Sequence, residues 1–309
     1  VTASEPGHPP APAPVRPGTA GAAASLDPRR NAYRPDLAAQ SLYGRVNAPR
    51  YASGIVRQVQ RPTVPLRRVP QASAGFETEA LLGEHVTVYD ESDGWAWIQL
   101  ARDRYVGYVP ADTLTADVRE PTHRVSALGT FVYPVADIKA PPLQLLSLNA
   151  AVTVAGGDER FSRLDTGGFI VTRHLSEIGR AEPDFVEIAE RFVGTPYLWG
   201  GRTRLGLDCS GLVQVAMIAA GIDAPRDSDM QQAEIGSNVL VPDSLEGLQR
   251  GDLVFWKGHV GIMVDSIMMV HANAHHMAVV VETLPEAAQR IARAGAQIAA
   301  VKRPPGLGA

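Results

Sequence analysis

Leu207-Asp208-Cys209-Ser210-Gly211 stands directly before the apolar-periodic run from Leu212 to Ala220. The polar, turn-forming residues Asp208, Ser210 and Gly211 followed by that run predict a helix that starts at or beside Cys209. Cys209 is the only cysteine of the chain. A thiol on the first turn of a helix faces unpaired N–H groups and the positive end of the helix dipole, so its pKa is expected to fall. His259 and His271 follow in strand-like stretches. One cysteine at a helix start with histidines downstream is an arrangement for nucleophilic catalysis.

Around this segment the chain divides by character. Residues 1–28 are a Pro/Ala-rich, low-complexity tail, expected to be disordered. Residues 29–52 form a lead-in, with a short helix predicted over Asn31–Gly44 because Pro35-Asp36 can open one. Residues 53–117 carry short strand patterns at close spacing, including His85–Tyr89, Trp95–Leu100 and Tyr105–Val109, and read as a small β-barrel. Residues 118–180 repeat that rhythm at Thr130–Tyr133, Ala151–Val154 and Gly168–Val171, which suggests a second barrel. Residues 181–305 begin with a helix opened by Pro183, pass through Cys209, and continue as antiparallel strands at Leu253–Trp256, Val260–Val264, Ile267–Val270 and Ala278–Glu282. A helix from Pro285 to Ala294 and a strand near Ile298–Val301 close the chain, so the fold class is α+β.

The 309 residues suffice for two or three small domains. A formal net charge of -4 gives no reason to expect nucleic acid or an anionic membrane as partner. One cysteine allows no intrachain disulfide, which suits a reducing compartment without requiring one. No stretch approaches the roughly 20 apolar residues of a membrane span. Val1–Pro17 lacks a basic head and an apolar core, although Ala22-Ala23-Ala24-Ser25 resembles a cleavage site. The expectation is a cytoplasmic monomer, with secretion or a periplasmic location as the alternative.

His259 and His271 lie twelve residues apart with Asp265 midway. If Asp265 centres a hairpin turn, the two rings sit opposite each other on one face, about 5 Å apart at Cβ. His259 would then take the thiol proton while His271 fixes its orientation. Plainer readings stand beside these. Cys209 could be a small core residue and Asp208 only a helix cap. Tyr197 and Trp199 read as core aromatics, except that Gly200-Gly201 lets backbone approach closely and can turn Tyr197 to a cleft. A zinc site at His271, His275 and His276 is disfavoured because no cysteine or carboxylate joins them.

Gly194-Thr195-Pro196-Tyr197-Leu198-Trp199-Gly200-Gly201, Asp208-Cys209-Ser210-Gly211, Arg250–Trp256 and His259-Val260-Gly261-Ile262 together resemble the NlpC family of papain-like cysteine peptidases. The upstream strands resemble paired bacterial SH3-like barrels, as in the subgroup that cleaves γ-D-glutamyl bonds of wall peptides. The resemblance implies a papain-like domain, its helical N-terminal part packed on an antiparallel sheet, behind two SH3-like barrels. It implies Cys209 as nucleophile, His259 as base, His271 as the orienting third member and Tyr197 beside the nucleophile. It further implies that Asp208, Ser210 and Ser228 line a pocket for a free substrate amine. That pocket would be closed from the first barrel by Tyr105 and by Glu79, with Glu77 as the neighbouring alternative.

The function so implied is hydrolysis of the γ-D-glutamyl–L-diamino acid bond in murein tripeptides or tetrapeptides with a free L-Ala amine, in cell-wall recycling and without metal or organic cofactor. The rivals are a secreted hydrolase of intact wall, a non-catalytic murein-binding protein, and acyl transfer on the same scaffold.

Overall fold

The computed structural model describes residues 26–240 and 245–305. The disordered tail expected over 1–28 falls outside the described residues except at its last three positions. Among the described residues no helix is long and apolar enough to cross a membrane.

The lead-in departs from expectation. Instead of a helix, Tyr33–Arg34 and Leu37–Ala39 pair antiparallel, and Arg50–Ala52 joins them in parallel. Pro35-Asp36 forms the two-residue corner between Arg34 and Leu37, because a Pro-Asp pair serves a tight turn as well as a helix start. Leu37, Ala39 and Leu42 then bury against Trp97 of the next unit, a tertiary gain that no short isolated helix would match.

From Ile55 to Thr115 seven strands form one sheet around Val64, Leu66, Val86, Ile98, Leu100 and Val109. One of them, Phe76–Leu81, is missed by pattern reading because Glu77, Glu79, Ala80 and Leu81 are helix formers by propensity. The next unit, His123 to Glu177, consists of sheets of three, two and three strands around Val125, Val132, Leu146, Leu164 and Ile170.

The C-terminal unit is built on a six-stranded sheet in the order Ser237–Asn238, Ile298–Arg303, Leu253–Trp256, His259–Met263, Met268–Asn273, Ala278–Thr283. Helices α1 (Phe185–Arg191) and α2 (Cys209–Ala219) bury one face with Leu253, Phe255, Val260, Ile262, Val270 and Ala272. Helix α4 (Leu284–Arg293) covers the other with Trp256, Met263 and Met269, as strand alternation requires. A short helix α3 (Ser228–Glu234) lies between α2 and the sheet strands in sequence.

Both upstream units are tied to α2. Gln214 of α2 donates to Asp103 at 2.8 Å, and buried Arg202 bonds Glu79 and Glu84 of the first unit. From the second unit, Asn149 donates to the Val215 carbonyl at 2.9 Å and Arg124 to the Ala219 carbonyl at 3.0 Å. Leu148 is fully buried within the core that contains Phe185, Leu212 and Cys209. Leu148→Ala is therefore expected to lower global stability by about 2–5 kcal/mol, read as a fall in urea midpoint with unchanged slope. A change within a few tenths would show that this core does not extend into the second unit.

Candidate active site

Cys209 is the first residue of α2, and Asp208 caps the helix by accepting from the Gly211 N–H at 2.7 Å. Cys209 is 8% exposed, yet it lines a cleft of about 240 Å3 together with Tyr197, Trp199, Asp208, Ser210, Ser228 and Gly258. The backbone amides of Val260 and Ser210 bear on its sulfur and favour the thiolate, so the strand that starts at His259 lies against the thiol.

The histidines meet, though not as expected. Asp265 does sit in the hairpin turn, accepting from the N–H groups of Ile267 and Met268 at 2.7 Å each. The register, however, pairs Ile262 with Val270 and Met263 with Met269. Continued along the strands, it sets His271 across from Gly261, so the two histidines are diagonal and not directly opposed. Their side chains close the gap: His259 Nε2 and His271 Nδ1 are 2.8 Å apart. His271 is buried, and its Nε2 is 2.6 Å from Glu282 Oε1. Two arms of Arg290, from α4, donate to Glu282 at 2.5 and 2.6 Å.

The residues expected to line an amine pocket are arranged differently from expectation. Glu79 is buried away from the cleft, accepting from the backbone N–H of Arg202 at 2.9 Å. Alternation along Phe76–Leu81 sends Glu77 to the same side, but nearer the strand end, and it is Glu77 that lines the cleft, 2.9 Å from Arg68. Asp208 lines the cleft, but both its oxygens are engaged by Arg226, at 2.9 and 2.6 Å, and by the amides of Gly200 and Gly211. Protein donors thus occupy both its oxygens, whereas among the described residues Glu77 accepts on Oε2 alone and Asp227 on Oδ2 alone. Ser210 Oγ accepts from the same guanidinium at 2.9 Å. Tyr105 lines the cleft as expected, donating from its hydroxyl to Asp227 at 3.0 Å. Asp227 and Asp229 line it too, both held by Arg29 of the lead-in at 2.8 and 2.7 Å. Trp199 is 69% exposed at the cleft rim and not a core aromatic. Gly200 has φ of +77°, and a Cβ there would come within 2.6 Å of Phe76 Cβ, so the close approach expected of this glycine is where the first unit docks.

The model of the NlpC/P60 family matches residues 194–293, which hold Tyr197, Cys209, His259 and His271. This segment is an NlpC/P60 domain. The model of the bacterial dipeptidyl-peptidase SH3 domain matches residues 66–114 ahead of it. A γ-D-glutamyl-L-lysine dipeptidyl-peptidase of Bacillus cereus is 29% identical over 229 residues, 64% of this chain and 67% of that protein. Dipeptidyl-peptidase 6 of Lysinibacillus sphaericus is 27% identical, over 68% of this chain and 75% of its own. The crystal structure of an NlpC/P60 family protein from Bacillus cereus superposes with a TM-score of 0.68 at 21% identity, covering 81% of this chain and 99% of that one, a likeness of fold. The chain is a cysteine peptidase that carries an NlpC/P60 domain at residues 194–293.

In this NlpC/P60 domain burial outweighs the helix dipole. It pushes the Cys209 thiol up to about 12, with Asp208 adding to the rise, against the expected fall. Burial likewise takes His259 down to about 3, helped by His271 and Arg290. The resting pair is therefore a neutral thiol and a neutral imidazole. Burial also raises the Tyr197 hydroxyl, and Cys209 beside it raises it further, so the phenol stays a proton donor. Among the described residues no three His, Cys, Asp or Glu side chains are grouped to hold a metal. His276 instead bonds Asn273.

Sequence reading missed Arg226, Asp227, Glu282 and Arg290. The signal for the first two was Pro225-Arg226-Asp227-Ser228, a charged turn before a helix. Glu282 ends an apolar strand run, where it passes for a solvent-side residue.

Proposed function

We propose that this peptidase hydrolyses the γ-D-glutamyl–L-diamino acid bond of short murein peptides that carry a free L-Ala amine. The observation that carries the reading is the cleft itself. Residues of the lead-in, the first unit and the NlpC/P60 domain wall it in, and carboxylates Glu77, Asp227 and Asp229 cluster there around Tyr105. A buried ammonium needs such carboxylates and acceptors, or its desolvation costs several kcal/mol. Some 240 Å3 suits a short peptide and not a glycan polymer. The name of the Bacillus cereus relative, a γ-D-glutamyl-L-lysine dipeptidyl-peptidase, points to the same class of bond.

In this reading the proton of Cys209 moves to His259 Nδ1 as sulfur attacks the γ-carbonyl carbon. N–H groups at the start of α2, with Tyr197, stabilise the oxyanion. The imidazolium then protonates the departing amine, and His259 activates a water that frees the acyl group from sulfur. Glu77 and Asp227, with Tyr105 and Ser228, take the amine role first assigned to Glu79 and Asp208. Ser210 shapes the same wall. We further propose SH3-like barrels over 53–117 and 118–180, the catalytic domain over 181–305, and soluble wall fragments in the cytoplasm as the natural substrate.

L-Ala-γ-D-Glu-diaminopimelate is expected to be cleaved between Glu and diaminopimelate, while its N-acetyl-L-Ala form reacts at least ~100-fold more slowly in kcat/KM, as loss of a buried charge contact predicts. Asp227→Asn is expected to raise KM for the free peptide far more than it lowers kcat. Faster release of products from intact sacculi than from the tripeptide would overturn the reading in favour of a wall hydrolase.

A further inference from the structure

We propose that Glu282, clamped by Arg290, is a positioning residue that sets the protons of both histidines and so makes His259 Nδ1 the bare nitrogen that serves Cys209. The proposal rests on the assignment of Cys209 and His259 as nucleophile and base.

The argument runs along one chain of hydrogen bonds. Arg290 donates to both oxygens of Glu282 at 2.5 and 2.6 Å. Burial alone would raise that carboxyl, but the bonds from His271 and Arg290 hold it well below the carboxylate range, so it is ionised and can only accept. At 2.6 Å, His271 Nε2 must then carry the hydrogen. A neutral ring has one N–H, so His271 Nδ1 is an acceptor. Its neighbour at 2.8 Å, His259 Nε2, must supply the proton. His259 Nδ1 is left bare.

A competitor stands in place. Asn273 Nδ2 is 2.9 Å from the same His271 Nε2. Its Oδ1 is taken by the His276 N–H at 2.8 Å, which turns the NH2 toward the ring. An amide donor there favours the opposite tautomer, with Nε2 bare and Nδ1 protonated. His259 Nε2 would then have to accept, and its Nδ1 would carry the hydrogen and be useless as a base. The charge-assisted bond to Glu282 is about twice as strong as a neutral one and decides the contest. The register makes this possible. His271 pairs with Val280 and Met269 with Glu282, so Glu282, His271 and Asn273 share the α4 face of the sheet.

Glu282→Ala hands His271 to Asn273. Its kcat for the tripeptide is expected to fall at least ~100-fold with KM within about twofold, since holding a catalytic histidine in the wrong tautomer costs up to about 10⁴ in rate. Adding Asn273→Asp restores an acceptor at the same nitrogen, and the double variant is expected to recover at least ~10-fold of that loss. A residue that merely braced the sheet would not be rescued by a second substitution. Spectra of ¹⁵N-histidine-labelled protein at neutral pH read the tautomers without turnover: Nδ1 of His259 is expected bare in the parent and protonated in Glu282→Ala. A protonated His259 Nδ1 in the parent, a Glu282→Ala enzyme within threefold of the parent, or no rescue by Asn273→Asp overturns the proposal. Turnover that survives Cys209→Ala overturns instead the assignment beneath it.

Discussion

Cys209→Ala is expected to leave no more than about 10⁻⁴ of the parent kcat/KM, with folding and substrate binding intact. Removal of a nucleophile that acts as one unit with its base costs about as much as removal of the whole unit. Alanine fits the space without strain, because the thiol packs in the same core as Leu212 and Phe185. The pH dependence follows from the neutral resting pair. In the proposed mechanism His259 must be unprotonated to receive the thiol proton. Its pKa is depressed by burial to about 3, so activity is lost only as pH falls well below the ordinary imidazole range. The thiol, pushed up to about 12, imposes no alkaline limb near neutrality. A plateau of kcat/KM is expected from about pH 5 up to the titration of the substrate's own α-amine, at about 8, above which the peptide loses the charge the cleft recognises. An acid limb centred near 6.5 would show that burial does not control the base. Slow alkylation of Cys209 near neutral pH accords with this state and does not mark an inert domain.

The elements that carry Cys209, His259 and His271 were legible because each carried its own local signal. Apolar period and capping residues marked α2, and unbroken apolar runs marked the strands beneath it. The predicted strand Leu253–Trp256 agrees with the structure residue for residue, and the closing helix differs by one position at each end. What escaped was set by partners far along the chain. Pro35-Asp36 reads equally as a helix start or a corner, and only burial of Leu37 against Trp97 of the first unit decides. The choice between Glu77 and Glu79 depends on where Arg202 arrives, 123 residues beyond Glu79. The offset of His259 from His271 depends on a turn whose length Asp265 fixes through two backbone bonds. Dipole arguments for a lowered thiol pKa failed for a related reason: they see the helix end but not the wall that buries it.

Arg226 shows how far such a long-range contact can matter. Its guanidinium is fully buried, and the Asp208 carboxylate keeps it charged against that burial. It also donates to Thr78 of the first unit at 2.8 Å and to Ser210 at 2.9 Å. One side chain therefore joins the first unit, the α2 cap and the wall of the cleft. Arg226→Met keeps most of the volume but strands Asp208 as an unpaired anion beside Cys209. Breaking a buried ion pair from one side costs about 3–5 kcal/mol, and that loss of stability is expected in urea unfolding. Turnover is expected to drop as well, because the uncompensated carboxylate further opposes ionisation of the thiol. Asp208→Asn added to Arg226→Met removes the stranded charge while leaving an amide oxygen to accept from Gly211. The double variant is expected to regain more than half of the lost stability. If the single variant unfolds within about 1 kcal/mol of the parent, the pair is solvated and Asp208 is free to meet a substrate amine after all.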